Sequence, residues 1–314
     1  CRSLTSVAMP NVRTIGSCAF RGCSSLASVS MPNVQTIGNE AFWGCRSLAS
    51  VAMPNVQTID DYAFDGCSSL TSVAMPNART IGDNAFESCR SLASVTMPYV
   101  RTIGDFAFWE CSSLASVSMP NVQTIGYAAF YGCSSLTSVS MPDARTIGDH
   151  AFRDCSSLTS VSMPNVQTIG YCAFRGCDLS TIYINQITPP VTLNEDGEPG
   201  GSPFSEEAYE NAVLVVPSEA VETYRDTYPW SEFFVAEHMR VQAYSDFKIH
   251  GFPHGDKRIG LTADGMTKLL VSTGNSYIEP DDYTVTVKIN GEVTSNPKLT
   301  GEIGPLFRDD VEGL

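Results

Sequence analysis

Apolar residues recur along the first 184 residues with a fixed period of 22 residues. Each period places leucine, valine, methionine, isoleucine and an Ala-Phe pair at constant positions, and a cysteine begins the next period. The positions between them are mostly polar. A strict period of about 20 to 29 residues with the order Leu-x-x-Val-x-Met predicts a solenoid. In a solenoid, each repeat forms one coil and buries its apolar side by stacking on the next coil.

The alternation of side chains within one repeat predicts a short strand. Residues 6–9 read Ser-Val-Ala-Met, so the valine and methionine are expected to point inward and the serine and alanine outward. Pro10 ends this strand, and Gly16 permits a turn. Ala19 and Phe20 are expected to pack the far wall through a short helical turn. Equivalent strands should stack in parallel, about 4.8 Å apart.

The order of motifs is specific enough to suggest a family. Leu-x-x-Val-x-Met-Pro, followed by Ile-Gly and then by Ala-Phe-x-x-Cys, resembles the BspA-like leucine-rich repeat over residues 1 to about 184. The resemblance implies an α/β-type repeat solenoid with short parallel strands and short helical turns. It also implies a bacterial surface or secreted protein that adheres to host proteins or other cells, with no catalytic residues to carry over.

Two changes of pattern divide the chain into three predicted parts. One residue is missing between Cys177 and Leu179, so the solenoid is expected to end with that coil and to span residues 1–184. Residues 185–239 are predicted to form a C-terminal cap. Residues 240–314 lose the repeat altogether and are predicted to form a small β-rich domain.

The predicted cap has its own elements. A strand is expected at residues 212–216, and a helix at residues 219–227 with Ser218 as its N-cap and Glu222 completing a capping box. Terminal coils need a cover, because an open edge recruits other chains. Three aromatic residues are expected to supply it: Trp230, Phe233 and Phe234.

The tail shows strand patterns. Residues 283–289 alternate apolar and polar side chains, and Asn290 with Gly291 is a strong hairpin signal. Further strands are predicted within residues 241–249 and 267–273. The segment is short for an immunoglobulin-like sandwich, so a truncated domain is one interpretation.

Nine cysteines lie at the constant position, from Cys1 to Cys177. A buried, reduced ladder is expected, because free cysteine is among the most buried residue types. Disulfides between neighbouring coils fit the allowed Cα separation but leave the Cβ atoms too far apart. A zinc column is weaker still, because no histidine keeps the repeat phase. Cys18 and Cys172 lie outside the column and are expected to be free and quickly labelled.

Charge is distributed unevenly along the chain. Residues 1–184 carry a net charge of −2 and residues 185–314 a net charge of −13. Nucleic acid is disfavoured as a partner, because its binders carry basic faces. No apolar run is long enough to cross a bilayer, so no membrane insertion is expected in this segment. No signal peptide is visible, and the start in mid-pattern at Cys1 suggests a piece of a longer protein.

Few residues offer catalytic or metal chemistry. His250 and His254 are four residues apart, but the glycine and proline between them prevent a helix from aligning them as metal ligands. Residues 194–198 lack the alternating acids of a calcium loop. His150 lies in a variable position and is expected to be solvated. The repeat serines have no base at a constant position beside them. The chain is therefore interpreted as not an enzyme, with no cofactor and no metal.

Sequence diversity indicates where a ligand would bind. Serine, alanine and threonine fill nearly all the outward positions of the strands, whereas large and charged residues collect directly after the Ala-Phe pair. Trp, Tyr and Arg are enriched at interface hot spots, although partly exposed packing explains them equally well. The predicted binding residues are Arg21, Trp43, Trp109, Tyr131, Arg153 and Arg175.

Three functions fit these observations. The favoured one is a non-catalytic, secreted or cell-surface (extracellular) adhesion protein whose array binds a protein or glycan on a host or neighbouring cell. The second is a structural spacer that presents the acidic C-terminal domain. The third is a carbohydrate-binding module. The sequence does not name the ligand.

Overall fold

The structure is a computed structural model. It describes residues 1–234 in full, and in the rest of the chain only the backbone of five strands. Coils are numbered 1 to 8 from residue 1, each 22 residues long, and a position within any coil takes the number of its equivalent in coil 1.

Two short strands form two sides of each coil. The first strands are Ser6–Ala8, Ser28–Ser30, Ser50–Ala52, Ser72–Ala74, Ser94–Thr96, Ser116–Ser118, Ser138–Ser140 and Ser160–Ser162. The second strands are Thr14–Ile15, Thr36–Ile37, Thr58–Ile59, Thr80–Ile81, Thr102–Ile103, Thr124–Ile125, Thr146–Ile147 and Thr168–Ile169. Equivalent strands of neighbouring coils pair in parallel, for example Val29 with Val51 and Ile37 with Ile59, and the first strands divide into two sheets between Ser116–Ser118 and Ser138–Ser140. The predicted parallel solenoid is confirmed.

The third side of each coil is a series of turns. The prediction of a helical turn at the Ala-Phe pair is wrong, because no helix forms within residues 1–184. The residue at position 18 has a positive φ, between 49° and 58° in all eight coils, and this left-handed backbone interrupts any right-handed helix. The backbone instead bonds between coils, with Phe20 N donating to Ala41 O at 2.7 Å and Gly22 N to Trp43 O at 2.7 Å.

Glycine at position 16 serves close packing between coils. A Cβ atom on Gly104 would lie 2.6 Å from the carbonyl carbon of Gly82, and one on Gly148 would lie 2.7 Å from the carbonyl carbon of Gly126. Both distances are too short for real contacts. The reason for glycine at these positions is therefore the close approach of the preceding coil, and not the turn expected from the sequence.

A stack of phenylalanine rings runs through the core. From Phe20 to Phe174, rings in neighbouring coils have centroids 5.1–5.2 Å apart and planes within 9° of parallel. Stacked aromatic pairs contribute about 0.5–1.5 kcal/mol each beyond their area burial. The leucine, methionine and isoleucine side chains of coils 2 to 8 are buried around the stack.

Residues 181–234 extend both sheets and add short helices. Thr181–Tyr183 and Val213–Pro217 continue the sheet of first strands, and Val191–Thr192 continues the sheet of second strands. The helical elements are α1 (Glu206–Asn211), a 3-10 turn (Ser218–Ala220), α2 (Val221–Arg225) and a second 3-10 turn (Trp230–Phe234).

The helix predicted at residues 219–227 is shorter in the structure and begins later. Ser218 is not the N-cap of α2, because Ser218–Ala220 forms a 3-10 turn and the N-cap of α2 is Ala220. The capping box with Glu222 is therefore wrong. The predicted strand at residues 212–216 is shifted by one residue, and it includes Pro217 as a neighbour of Tyr244 in the next strand.

The aromatic residues near the end of the array pack against its last coils. Phe204 stacks on Phe174 with centroids 5.6 Å apart and so lengthens the ring stack by one member. Trp230 and Phe233 are buried against Phe204, while Phe234 is half-buried. The boundaries at residues 184 and 239 stay predictions.

The five strands beyond residue 234 are Val241–Phe247, Lys257–Thr262, Leu270–Val271, Val285–Ile289 and Glu292–Asn296. The last two pair antiparallel with Ile289 opposite Glu292, the register that the Asn-Gly hairpin signal predicts. Whether the strands form a separate β-rich domain stays a prediction. His250 and His254 lie outside the described residues.

Candidate functional site

The cysteine column lies in the core. Burial is confirmed from Cys23 to Cys177, whereas Cys1 is exposed. Each buried thiol of the column from Cys45 onward donates to the carbonyl of the phenylalanine 25 residues earlier, as from Cys67 to Phe42 O at 3.2 Å. Burial raises the pKa of these thiols, to about 12 for Cys45. The buried thiols from Cys45 onward are therefore protonated and unsuited to nucleophilic chemistry.

The two cysteines outside the column differ from each other. Cys18 is exposed, as expected, but Cys172 is buried, with 4% of its surface exposed. The prediction that both would be accessible is therefore wrong for Cys172. The extra packing arises at the end of the array, where Cys172 N donates to Ser202 O at 3.3 Å and the segment around Ser202 covers this part of coil 8.

The predicted binding residues at position 21 fall into separate clusters. In coils 1 to 3, the guanidinium of Arg21 lies 4.8 Å from the ring centroid of Trp43 and pairs with Glu40 at 2.5 Å. Trp43 Nε1 donates to Asp65 Oδ2 at 2.8 Å. Arg21 and Trp43 are thus held together in a polar network, although Trp43 remains 38% exposed.

Asp65 is the carboxylate of this network with the clearest change in acidity. Burial raises the pKa of Asp65 to about 6, and the nearby Glu87 adds to the rise. The hydrogen bond from Trp43 acts in the opposite direction. Asp65 and Glu87 occupy position 21 in coils 3 and 4, so acidic side chains separate the first cluster from the aromatic residues of the later coils.

The second cluster contains three of the predicted binding residues. The rings of Trp109 and Tyr131 stack with centroids 6.2 Å apart. The guanidinium of Arg153 lies 5.9 Å from the Tyr131 centroid, and its Nε is 3.6 Å from Asp154. A hydrogen bond with Asp154 is the main cause of the raised pKa of the Tyr131 hydroxyl. These side chains cross coils 5 to 7.

Arg175 stands apart from this cluster. It occupies position 21 of coil 8, is exposed, and has its Nη1 4.0 Å from the sulfur of Cys172. The structure therefore brings together Trp109, Tyr131 and Arg153, brings together Arg21 and Trp43 separately, and leaves Arg175 beside Cys172.

A second row of rings lies beside this cluster, and the sequence reasoning missed it. Phe106 and Tyr127 have centroids 5.0 Å apart, Tyr127 and His150 5.6 Å, and His150 and Tyr171 5.6 Å, all in edge-to-face contact. The rings come alternately from positions 18 and 17. This alternation of aromatic residues just before the Ala-Phe pair in coils 5 to 8 is the signal that could have revealed the row. His150 is half-buried within it and is not simply solvated.

The repeat sequence matches one known family. The family model described as BspA type leucine-rich repeat region matches residues 1–99 and 79–190, in six copies. The chain belongs to this family. The resemblance noted from the repeat motifs is therefore confirmed, and the family offers a scaffold for protein interactions, typically without catalysis and commonly associated with the cell surface.

Solved structures of two leucine-rich repeat proteins are similar to this chain. A leucine-rich repeat protein from Bacteroides ovatus is 27% identical, with 68% of this chain and 63% of that protein covered and a TM-score of 0.55. This chain therefore spans less than two thirds of the length of that protein. The leucine-rich repeat protein of T. pallidum is 28% identical, with 56% and 77% covered and a TM-score of 0.40. No curated protein matches the chain.

The strand side of the BspA-type array presents a uniform surface. Its outward serines, such as Ser94, Ser116 and Ser138, are exposed. They pair with the equivalent serines of neighbouring coils, as Ser116 with Ser94 and Ser138 with Ser160. Among the described residues there is no group of three potential metal ligands. No helix in the part of the chain that the structure describes is long and apolar enough to cross a membrane.

Proposed function

We propose that this BspA-type array is a non-catalytic adhesion module, secreted or displayed on the cell surface, that binds a protein or glycan of a host or neighbouring cell. One observation carries the proposal. A scaffold repeated almost without change presents variable aromatic and arginine side chains at positions that the core does not need. Trp109 and Tyr131 are half-buried and so still reach the surface, and apolar surface patches mark interaction sites on soluble proteins.

The shape of the site favours an extended ligand. Trp109, Tyr131 and Arg153 come from successive coils, so their contacts are spread along the rod axis. Each contact is individually weak, and several made by one long ligand, or by several array molecules on one surface, combine through effective concentration. The Arg21–Trp43 pair is a weaker candidate, because it extends over only two coils.

A binding assay with a matched pair of variants tests the proposal. The double variant Trp109→Ala with Tyr131→Ala should weaken adhesion to immobilised host-matrix and bacterial cell-wall fractions at least tenfold. The control variant Ser116→Ala with Ser138→Ala, on the strand side, should leave adhesion unchanged. Circular dichroism of all three proteins should agree, because neither pair of changes touches the core.

The opposite results have clear meanings. Loss of adhesion in the serine variant alone would place the ligand on the strand side. The absence of any adhesion by the wild-type protein would favour a spacer that holds residues 240–314 away from a surface.

A further inference from the structure

The two rows of aromatic side chains in coils 5 to 8 form one continuous surface, which we call the aromatic band. Arg153 joins the rows, because its guanidinium lies 5.9 Å from the Tyr131 centroid and its Nη1 lies 3.5 Å from His150 Nδ1. The band consists of Phe106, Trp109, Tyr127, Tyr131, His150 and Tyr171. It therefore crosses four coils, along the axis of the rod.

The fold does not require these rings. At position 17 other coils carry Asn39 or Asp83, and at position 18 they carry Asn84 or Ala128 with the same left-handed backbone. The core is already filled by the separate stack of buried phenylalanines. Tyr127 remains 41% exposed in spite of its two ring contacts. Aromatic residues that packing does not demand, grouped in four successive coils, indicate a surface for a ligand.

The charge around the aromatic band argues against an anionic ligand. Asp105, Glu110, Asp149 and Asp154 lie in the same coils and at the same or adjoining positions. Arg153, which joins the rows, is paired with Asp154. Burial and the neighbouring Arg153 lower the pKa of His150, so its ring is uncharged at neutral pH. The band is thus a row of neutral rings edged with carboxylates, which accept hydrogen bonds from hydroxyl groups.

The backbone of this side also limits the kinds of ligand. Phe106 N donates to Tyr127 O at 2.8 Å, and His150 N donates to Tyr171 O at 2.9 Å, so these groups are used between coils. A polypeptide strand added to the band would therefore lack these backbone partners. A sugar ring needs none of them, because its C–H face stacks on an aromatic ring and its hydroxyls bond to nearby polar groups.

We infer that the aromatic band binds a linear, uncharged polysaccharide lying along the rod axis. The ring spacing of 5.0–5.6 Å within the row from Phe106 to Tyr171 is close to the length of one sugar unit in an extended chain. Successive sugars can therefore lie over successive members of the row and meet a ring face or a ring edge in turn. The inference rests on the proposed function and narrows its ligand to one chemical class.

The test replaces tyrosines with residues that other coils carry at the same positions. Tyr127→Asn with Tyr171→Asn places at position 17 the residue that coil 2 carries as Asn39, without adding charge. The control is Tyr62→Asn, which removes a tyrosine of similar exposure, 39%, from coil 3 and gives position 18 the residue found as Asn84. Matching circular dichroism spectra establish that both variants fold.

Native affinity electrophoresis of the full chain would be run in gels containing soluble xyloglucan, mixed-linkage β-glucan or mannan. Polygalacturonate serves as the charged comparison. At least one neutral polymer should retard the wild-type protein and the Tyr62→Asn variant equally. The double variant should bind that polymer at least tenfold more weakly, and polygalacturonate should retard none of the proteins.

Three results of the electrophoresis would overturn the inference. The first is that no neutral polymer retards the wild-type protein, and the second is that the double variant is retarded as strongly as wild type. The third is that polygalacturonate retards the protein and that salt abolishes this retardation. Adhesion to a protein fraction that depends on Trp109 and Tyr131 but not on Tyr127 and Tyr171 would also overturn it. That last result would leave the proposed adhesion function standing, so the two failures are distinguishable.

Discussion

At the scale of single residues, the cysteine of each repeat combines small volume with a polar tip. The thiol of Cys89 donates to Phe64 O at 3.2 Å, and the same contact recurs from coil to coil. Alanine would fit the space without this bond, and serine would bury a hydroxyl that is more costly to desolvate. The thiol is apolar enough for the core and still gives the phenylalanine carbonyl a second, weak donor.

The thiols should differ sharply in their reaction with a water-soluble reagent. In the native protein, Cys1 and Cys18 should be labelled rapidly because they are exposed, and the other nine should be protected by burial. Raised pKa values add to the protection of thiols such as Cys67 and Cys89. Mass spectrometry after a short pulse would count the labels, and unfolding in urea should release the rest. Rapid native labelling of five or more thiols would contradict the buried column.

Asp65 should make stability depend on pH in a definite direction. Its folded pKa of about 6 exceeds its ordinary value, so the folded chain holds a proton that the unfolded chain releases. The free energy of unfolding should therefore fall as the pH rises from about 4 to about 6. Asp65→Asn should remove the contribution of Asp65 to this decrease. The free energy of unfolding of the variant should therefore rise relative to that of wild type between pH about 4 and about 6.

Urea unfolding at several pH values would measure that difference. Below pH about 4 the difference between wild type and Asp65→Asn should be constant, because Asp65 is then protonated in both states. A difference that stays flat from pH 4 to 7 would show that the carboxyl titrates normally.

The inward residues of the repeat could be predicted because their spacing alone decides their side of the coil. The left-handed backbone at position 18 could not, since Cys18, Glu40 and His150 are not residues that demand it. The row of rings from Phe106 to Tyr171 was missed for a related reason. Its rings alternate between two positions, 17 and 18, and meet only because these positions face each other across the gap between coils.

At the scale of elements, each coil is held to the next on three sides. The two strands form parallel ladders, and the turn segment adds bonds such as Phe64 N to Ala85 O at 2.8 Å. A polar ladder adds to these, with Asn55 Nδ2 donating to Pro32 O at 2.8 Å. Only one of the three sides was predicted from the sequence as a strand. The second strand of each coil is a Thr-Ile pair, which is too short to be recognised by alternation alone. It forms because the equivalent pairs of the neighbouring coils bond to it.

The phenylalanine stack should carry much of the stability of a coil. Phe86→Ala removes a fully buried ring that stacks on Phe64 and Phe108, and it should cost about 3–5 kcal/mol in the free energy of unfolding. Tyr99→Ala, at a residue that is 59% exposed, should cost little. Chemical unfolding followed by circular dichroism compares the two. Equal effects would show that the stack is not the core.

One whole coil should be removable. Deleting residues 67–88 joins Gly66 to Cys89, so that Phe64 can stack on Phe108 and every ladder continues in register. The shortened rod should keep its circular dichroism spectrum and lose about 4.8 Å of length in small-angle scattering. Deleting only residues 67–77 shifts the register by half a coil and should abolish folding. If both deletions behave alike, the coils are not independent units.

At the scale of the whole molecule, the open end of the stack after coil 8 is where the repeat can no longer cover itself. Phe204 occupies the place of the next ring, and Trp230 packs edge-to-face on it with centroids 5.8 Å apart. Trp230 Nε1 donates to Pro190 O at 3.0 Å. Trp230 could be predicted from the sequence as part of a cap, and Phe204 could not, because it follows a loop without the repeat pattern. The helix boundaries could not, because they depend on how the chain turns over the last coil.

Replacing Trp230 should therefore reduce stability more than replacing any other tryptophan of the described residues. Trp230→Ala removes a fully buried side chain and should cost about 3–5 kcal/mol. It also uncovers Phe204, so the protein should begin to associate through this end. Trp43→Ala, at a tryptophan that is 38% exposed, should leave the mass in solution unchanged. Light scattering with thermal unfolding measures both effects. A Trp230→Ala protein that stays monomeric and melts like wild type would show that the rod end needs no such cover.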